Sequence, residues 1–249
     1  INRTVVMPAK DTTLPLTVFS NCPPSTAAND CKNAPGRDVA VTVQGATVLV
    51  GNQALHLKGV AWSPTAVGKG PGAGSGDFDN YATIDTPLLA QAGFNVVRTY
   101  GPILNRSVLD KLYSEGIYVL NTVFYGYQDT VQSAVNNLCA VKDHPAILAW
   151  VVGNEWNYNK LGLNISVDQA RDKVEEVLVA IKAQDSTRPV STVYGEIPNA
   201  QTYAALNEVD LWGLNVYRGS SFGDLFTEWK NLSTKAMYIS EYGSDAYNG

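Results

Sequence analysis

An α/β fold closed into a (β/α)8 barrel is what this 249-residue sequence predicts, and three observations predict it. After Leu57, short apolar runs alternate with helix-patterned stretches, the signature of βα units on a parallel sheet. Seven such runs can be read, at 57–62, 95–100, 117–124, 147–154, 189–194, 211–217 and 236–242. Nearly every run ends in polar or aromatic residues, among them Arg98-Thr99-Tyr100, Asn154-Glu155-Trp156, Tyr194-Gly195-Glu196, Asn215-Val216-Tyr217 and Glu241-Tyr242. In a barrel those ends meet on one face; an open sheet would gather only two or three of them.

Each segment has its own reason. Residues 1–38 are rich in Pro, Asn and Thr without a sustained period, which predicts an irregular N-terminal arm, with the barrel domain over 39–249. Cys22 and Cys31 flank a Pro/Ser/Asn-rich stretch that buries little, so a disulfide between them is expected, with Cys139 left as a small buried hydrophobe on a helix. From Asp38 to Leu57, short alternating apolar runs broken by Gly45 and Gly51-Asn52 predict one or two small hairpins. The glycine-rich stretch 67–76 has neither the GxxxxGK[ST] nor the GxGxxG spacing of a phosphate loop and reads as a loop at the rim of the cleft. The clearest helix carries Val167, Ala170, Val174, Val177, Leu178 and Ile181 at helical spacing, opened by a Ser166-x-x-Gln169 capping box. His56 and His144 fall at the wrong ends of their strands for chemistry at the polar face.

An eighth strand is not evident. A barrel of this kind needs one, and the arm is a poor source because Pro8, Pro15, Pro23 and Pro24 cannot donate to a central ladder. The expectation is that a second polypeptide segment, beyond Gly249, completes the barrel.

Composition excludes several functions. A net charge of −5 without a basic run leaves no footprint for nucleic acid, and no stretch is long and apolar enough to span a membrane. No His/Cys/Asp cluster has metal-ligand spacing, so neither a metal nor another cofactor is expected. The chain opens at Ile1 and holds sequons at Asn2, Asn105, Asn164 and Asn231, which fits a processed, secreted or cell-wall glycoprotein.

Glu155 and Glu241 each follow an apolar run directly, where a buried strand opens into a polar mouth. Desolvation favours the protonated form of a carboxyl, and a protonated Glu can donate to a glycosidic oxygen while an ionised one attacks the anomeric carbon. A divalent-metal pair, or an ion pair with Arg98, is also open on the residues alone.

The stretches LKGVAWSP, AGFNVVRTYGP, GIYVL, GNEWN, DLWGLNVY and YISEYG resemble the clan A retaining glycoside hydrolases over roughly residues 55–245. They look closest to the β-1,3-glucanosyltransferases of family 72, and are also similar to family 2 and family 17 barrels. The resemblance implies Glu155 as acid/base, Glu241 as nucleophile, Asn154 as a partner of the sugar 2-hydroxyl, and Arg98 and Tyr217 as supports of the nucleophile. Trp62, Tyr100, Trp156, Tyr242 and Glu196, at strand ends, become candidate sugar contacts. The implied activity is hydrolysis or transglycosylation of a β-glucan. Another clan A glycosidase, of galactosidase or mannanase type, and a catalytically silent barrel in an extracellular structural glycoprotein are the alternatives.

Overall fold

The computed structural model describes residues 30–69 and 76–244. Cys22, the Asn2 sequon and most of the N-terminal arm lie outside the described residues, as does most of the glycine-rich loop. Three antiparallel strands come first, β1 (Val41–Gln44), β2 (Thr47–Val50) and β3 (Gln53–Leu55). The barrel follows in chain order as β4 (Gly59–Ala61), α1 (Phe78–Gln91), β5 (Val96–Arg98), α2 (Arg106–Ser114), β6 (Tyr118–Phe124), α3 (Val131–Val141) and β7 (Ile147–Asn154). It continues through α4 (Trp156–Asn159), α5 (Val167–Gln184), β8 (Val190–Gly195), α6 (Ala200–Ala205), β9 (Leu211–Val216), α7 (Leu225–Leu232) and β10 (Ala236–Tyr242).

The seven strands β4 to β10 pair in sequence order, all parallel, so each predicted run is a strand of one nearly closed barrel. All eight residues of β7 are buried, as expected where a parallel strand is covered on both faces. On β9 the pleat is plain in the packing. Leu211 faces the barrel interior, whereas Trp212, Leu214 and Val216 face the helices. The α5 helix opens with the Ser166–Gln169 capping box and buries Ala170, Val174, Val177, Leu178 and Ile181.

The hairpin region is one three-stranded meander, and its place in the fold explains its apolar residues. Val41 and Val48 pack with Val96, Leu148, Leu211 and Ala236, which begin the barrel strands or lie close to their N-terminal ends. The meander therefore seals the N-terminal mouth of the barrel, leaving the opposite mouth for the polar strand ends. Between β4 and β10, which are not paired with each other among the described residues, runs a cleft of about 1020 Å³. It reaches from Thr47 and Val48 of the meander to Arg98, Tyr100 and Glu241.

The expected Cys22–Cys31 disulfide is corrected: Cys31 is bonded to Cys139, 108 residues away. The described end of the arm, around Cys31 and Ala34, is docked on the barrel's helices. The amide of Cys31 donates to Gln184 Oε1 at 2.8 Å, and the ammonium of Lys142 donates to the carbonyls of Cys31 (2.7 Å) and Ala34 (2.8 Å). That docking puts Cys31 against Cys139 on α3. Cys139→Ser is expected to lower stability by about 2–5 kcal/mol, because the bridge restrains a long loop in the unfolded chain. Calorimetry with and without reductant checks it, since reduction should bring the wild type down to the variant's melting temperature and leave the variant unmoved.

His144 is buried below the N-terminal end of β7, with Nε2 3.0 Å from Asp110 Oδ1 and Nδ1 accepting from the Ala146 amide. Burial depresses its pKa, and it stands at the mouth opposite the polar strand ends.

Candidate active site

The ends of four strands, β5, β7, β9 and β10, build the centre of the polar mouth. On β10 the ladder shifts register between Ile239 and Glu241, an irregularity that re-aims the side chain beyond it. Glu241 thereby meets three donors. Arg98 Nη1 lies 2.9 Å and the Tyr100 hydroxyl 2.7 Å from Oε1, while the Tyr217 hydroxyl donates to Oε2 at 2.9 Å. Arg98, only 3% exposed, also donates from Nη2 to Asn154 Oδ1 at 2.7 Å, and its guanidinium lies 4.1 Å from the centroid of the Tyr100 ring. One side chain thus ties the end of β7 to the end of β10.

The turn after β7 is forced by its residues. Gly153 has φ +75°, and a Cβ there would come within 2.9 Å of the Trp156 ring. Glu155 itself is left-handed, φ +47°, a region that disfavours a residue with a Cβ. The surroundings over-determine it. Its amide donates to the Val193 carbonyl at 3.0 Å, its carbonyl accepts from Tyr158 (2.8 Å) and Asn159 (2.9 Å), and Asn159 Nδ2 holds the Asn154 carbonyl at 2.6 Å. Strain of this kind, held by several bonds, gathers at functional sites.

The two carboxyls are in different surroundings. Burial pushes the pKa of Glu241 up, but the Tyr100 hydrogen bond, the Arg98 charge and the Tyr217 hydrogen bond outweigh it and hold the carboxyl below its ordinary value. Burial, reinforced by Glu241, raises the phenol of Tyr100 and pushes that of Tyr217 up to about 12, so both stay protonated donors at neutral pH. Glu155 is half-buried, and no group among the described residues hydrogen-bonds its carboxyl.

The other sequence candidates divide. Trp156 is wholly buried, its indole N–H on Thr192 Oγ1 at 3.0 Å, so its ring cannot meet a sugar. Trp62 is likewise a core residue, donating to Asp85 at 2.8 Å and packed on Phe78. Both are corrected from sugar contacts to packing. Tyr100 serves Glu241 and is not an open stacking face. Tyr242 is 72% exposed and packs edge-on against Phe222. Glu196, at φ +67°, is gripped by Arg218, whose Nη2 lies 2.7 Å from Oε2. The sequons at Asn105, Asn164 and Asn231 are exposed. Sequence reasoning missed Arg218, Asn157 and Tyr158, discussed below. It also missed the donor role of Tyr100, which lies in the bend two residues after Arg98 at the end of β5.

The model for "Glycosyl hydrolases family 2, TIM barrel domain" matches residues 125–249, just over half of the chain. The chain belongs to glycosyl hydrolase family 2. The match covers β7 to β10, and so both Glu155 and Glu241. Solved structures agree on the fold of this family 2 barrel. A Bacteroides uniformis β-glucuronidase, covalently bound to a cyclophellitol-6-carboxylate aziridine, superposes with a TM-score of 0.65 at 15% identity, over 81% of this chain and 26% of its own. A Ruminococcus gnavus β-glucuronidase in complex with D-glucuronic acid gives 0.61 at 20%, over 85% and 38%. A family 2 member from Bacteroides cellulosilyticus gives 0.62 at 20%, over 80% and 27%. The chain therefore spans roughly a quarter to two fifths of the length of these structures. A search of curated proteins finds no match. Of the three families whose phrases the sequence shares, the matching model is that of family 2 and not family 72.

Tyr100→Phe is expected to move the acid limb of the kcat/KM profile to higher pH. A donor to the charged carboxylate favours ionisation, so its loss lets Glu241 take up a proton at a higher pH, and the fully active form then persists over a narrower range. A pH–rate series on wild type and variant reads this directly. An unmoved acid limb would mean that Glu241 does not set it.

Proposed function

We propose that this barrel is the catalytic domain of a retaining β-glycosidase that hydrolyses or transglycosylates a β-glucan, β-1,3-linked in first preference. The observation that carries the reading is the contrast between two carboxyls on one mouth. Glu241 is ionised and fixed by three donors, whereas Glu155, on a strained turn, has a carboxyl free to meet substrate.

In the first step Glu155 gives its proton to the glycosidic oxygen as the C1–O bond breaks, and a Glu241 oxygen bonds C1. In the second, water or a sugar hydroxyl gives its proton to Glu155 as its oxygen bonds C1 and the Glu241–C1 bond breaks. Asn154, its Oδ1 occupied by Arg98, is held beside the reacting ring, where its amide would meet the sugar 2-hydroxyl. Retention requires the reacting carboxyls to stand roughly 5–5.5 Å apart.

The preference for β-1,3-glucan rests on the phrases shared with family 72. A neutral substrate is also supported by the rim, where Glu196, Asp224 and Glu228 surround the single guanidinium of Arg218. A β-glucuronide is the second reading, favoured by the solved structures named above. A secreted setting belongs to the same proposal and is supported by the Cys31–Cys139 bridge. So does an eighth strand, from a further polypeptide segment, in the cleft between β4 and β10. Turnover of a panel of β-1,3- and β-1,4-glucan oligosaccharides, aryl β-glycosides and aryl β-glucuronides tests the substrate, with product anomers followed by NMR. Preference for the glucuronide would replace the β-glucan reading, and an inverted first product would remove the covalent step.

A further inference from the structure

In the proposed reaction the departing sugar must lie on the side of Glu155, because Glu155 protonates its oxygen. The wall on that side is built with unusual care. In α4, two residues after Glu155, Asn157 pairs reciprocally with the backbone of Gly195, donating to its carbonyl at 3.0 Å and accepting from its amide at 2.9 Å. That clamp brings the Tyr158 ring against Gly195 so closely that any side chain on Gly195 would overlap it. Tyr158 as a residue is nonetheless 62% exposed. Beyond it, Glu196 turns left-handed and is locked by Arg218, which also reaches Glu228 at 2.8 Å. Burial, and then the charges of Glu196 and Glu155, raise the Tyr158 phenol, so it stays protonated at neutral pH.

The geometry points to a leaving-group and acceptor subsite made of the Tyr158 face, with the Glu196–Arg218 pair at its edge, that takes a neutral pyranose ring. An aromatic face fixed at one height stacks on the apolar face of a sugar. A carboxylate held by a guanidinium keeps lone pairs for a hydroxyl without leaving its place. A glycosyl-enzyme whose acceptor site holds a sugar is opened by that sugar's hydroxyl in competition with water, so this subsite governs the partition between transfer and hydrolysis. The inference rests on the function proposed above.

The test compares Tyr158→Ala and Tyr158→Phe with wild type on two probes. One is β-glucosyl fluoride, whose leaving group is a single atom; the other is a laminari-oligosaccharide, whose leaving group is a sugar. The alanine variant is expected to lose about tenfold more kcat/KM on the oligosaccharide than on the fluoride. The share of glycosyl-enzyme captured by added laminaribiose should fall in parallel, and the phenylalanine variant should retain most of both. Equal losses on the two probes, no loss on either, or a phenylalanine variant as impaired as alanine would overturn the subsite while leaving the glycosidase reading intact. A wild-type protein inert toward both probes would overturn the β-glucan reading and this neutral-sugar subsite together.

Discussion

Glu241→Ala is expected to abolish turnover, and Glu155→Ala to lower it about 10²- to 10⁴-fold, the usual weight of a general acid–base. What separates their roles is the response to azide. Without Glu155 the glycosyl-enzyme can still form from a substrate with a good leaving group, but no base activates water to open it. Azide needs no base, attacks the same face and gives a glycosyl azide of retained configuration. Without Glu241 there is no covalent intermediate, and azide entering the vacated space gives the inverted product. The structure supports this division, since Glu241 accepts from Arg98, Tyr100 and Tyr217 and is held ionised. NMR of the azide products decides it. An inverted product from Glu155→Ala would exchange the two assignments.

How much of this was legible in the sequence depended on the range of the interaction concerned. The inner strands stood out because a parallel strand covered on both faces reads as a continuous apolar run, and β7, buried along its whole length, is the plainest case. The α5 helix was legible from its cap and its period, both local properties. The Cys31–Cys139 bridge was not, because loop composition around Cys22 and Cys31 carries no information about a partner 108 residues away. The meander was legible as hairpins but not as the plug of the barrel, since an alternating strand does not say what its apolar face will meet.

Side-chain direction accounts for the errors at the site. Trp156 follows Glu155 directly, and adjacent residues on a helical turn point different ways, so its ring goes inward to Thr192. Tyr158 stands three residues on and returns to the side of Glu155, which its spacing alone could have shown. The donor role of Tyr100 depended on the bend after β5, which no strand period describes. Arg218 had no local signal, because its partners Glu196 and Glu228 come from other elements.

Arg98→Lys is expected to lower kcat/KM about 10²- to 10³-fold, the usual effect of removing a donor aimed at a reacting group, while leaving the fold intact. Arg98 is required at two acceptors at once. Nη1 serves Glu241 and Nη2 serves Asn154, which come from β10 and from β7. A planar fork meets both without moving, whereas an ammonium on a flexible stem is a point charge that can satisfy one of them at a time. If lysine stays with Glu241, Asn154 Oδ1 loses its short bond and keeps only the 3.4 Å contact from Asn215 Nδ2, so the amide that should meet the 2-hydroxyl is held less firmly. If it moves to Asn154, the nucleophile loses its nearest cation and its pKa rises. Either way the loss exceeds that of Tyr217→Phe, which removes one donor from a carboxylate that keeps two others. The positive charge is retained in both cases, so the melting temperature should fall by only a few degrees. Steady-state kinetics beside a melting curve makes the check. Wild-type turnover in Arg98→Lys would reduce Arg98 to a packing residue, and a larger loss in Tyr217→Phe would place the main anchor of Glu241 on β9.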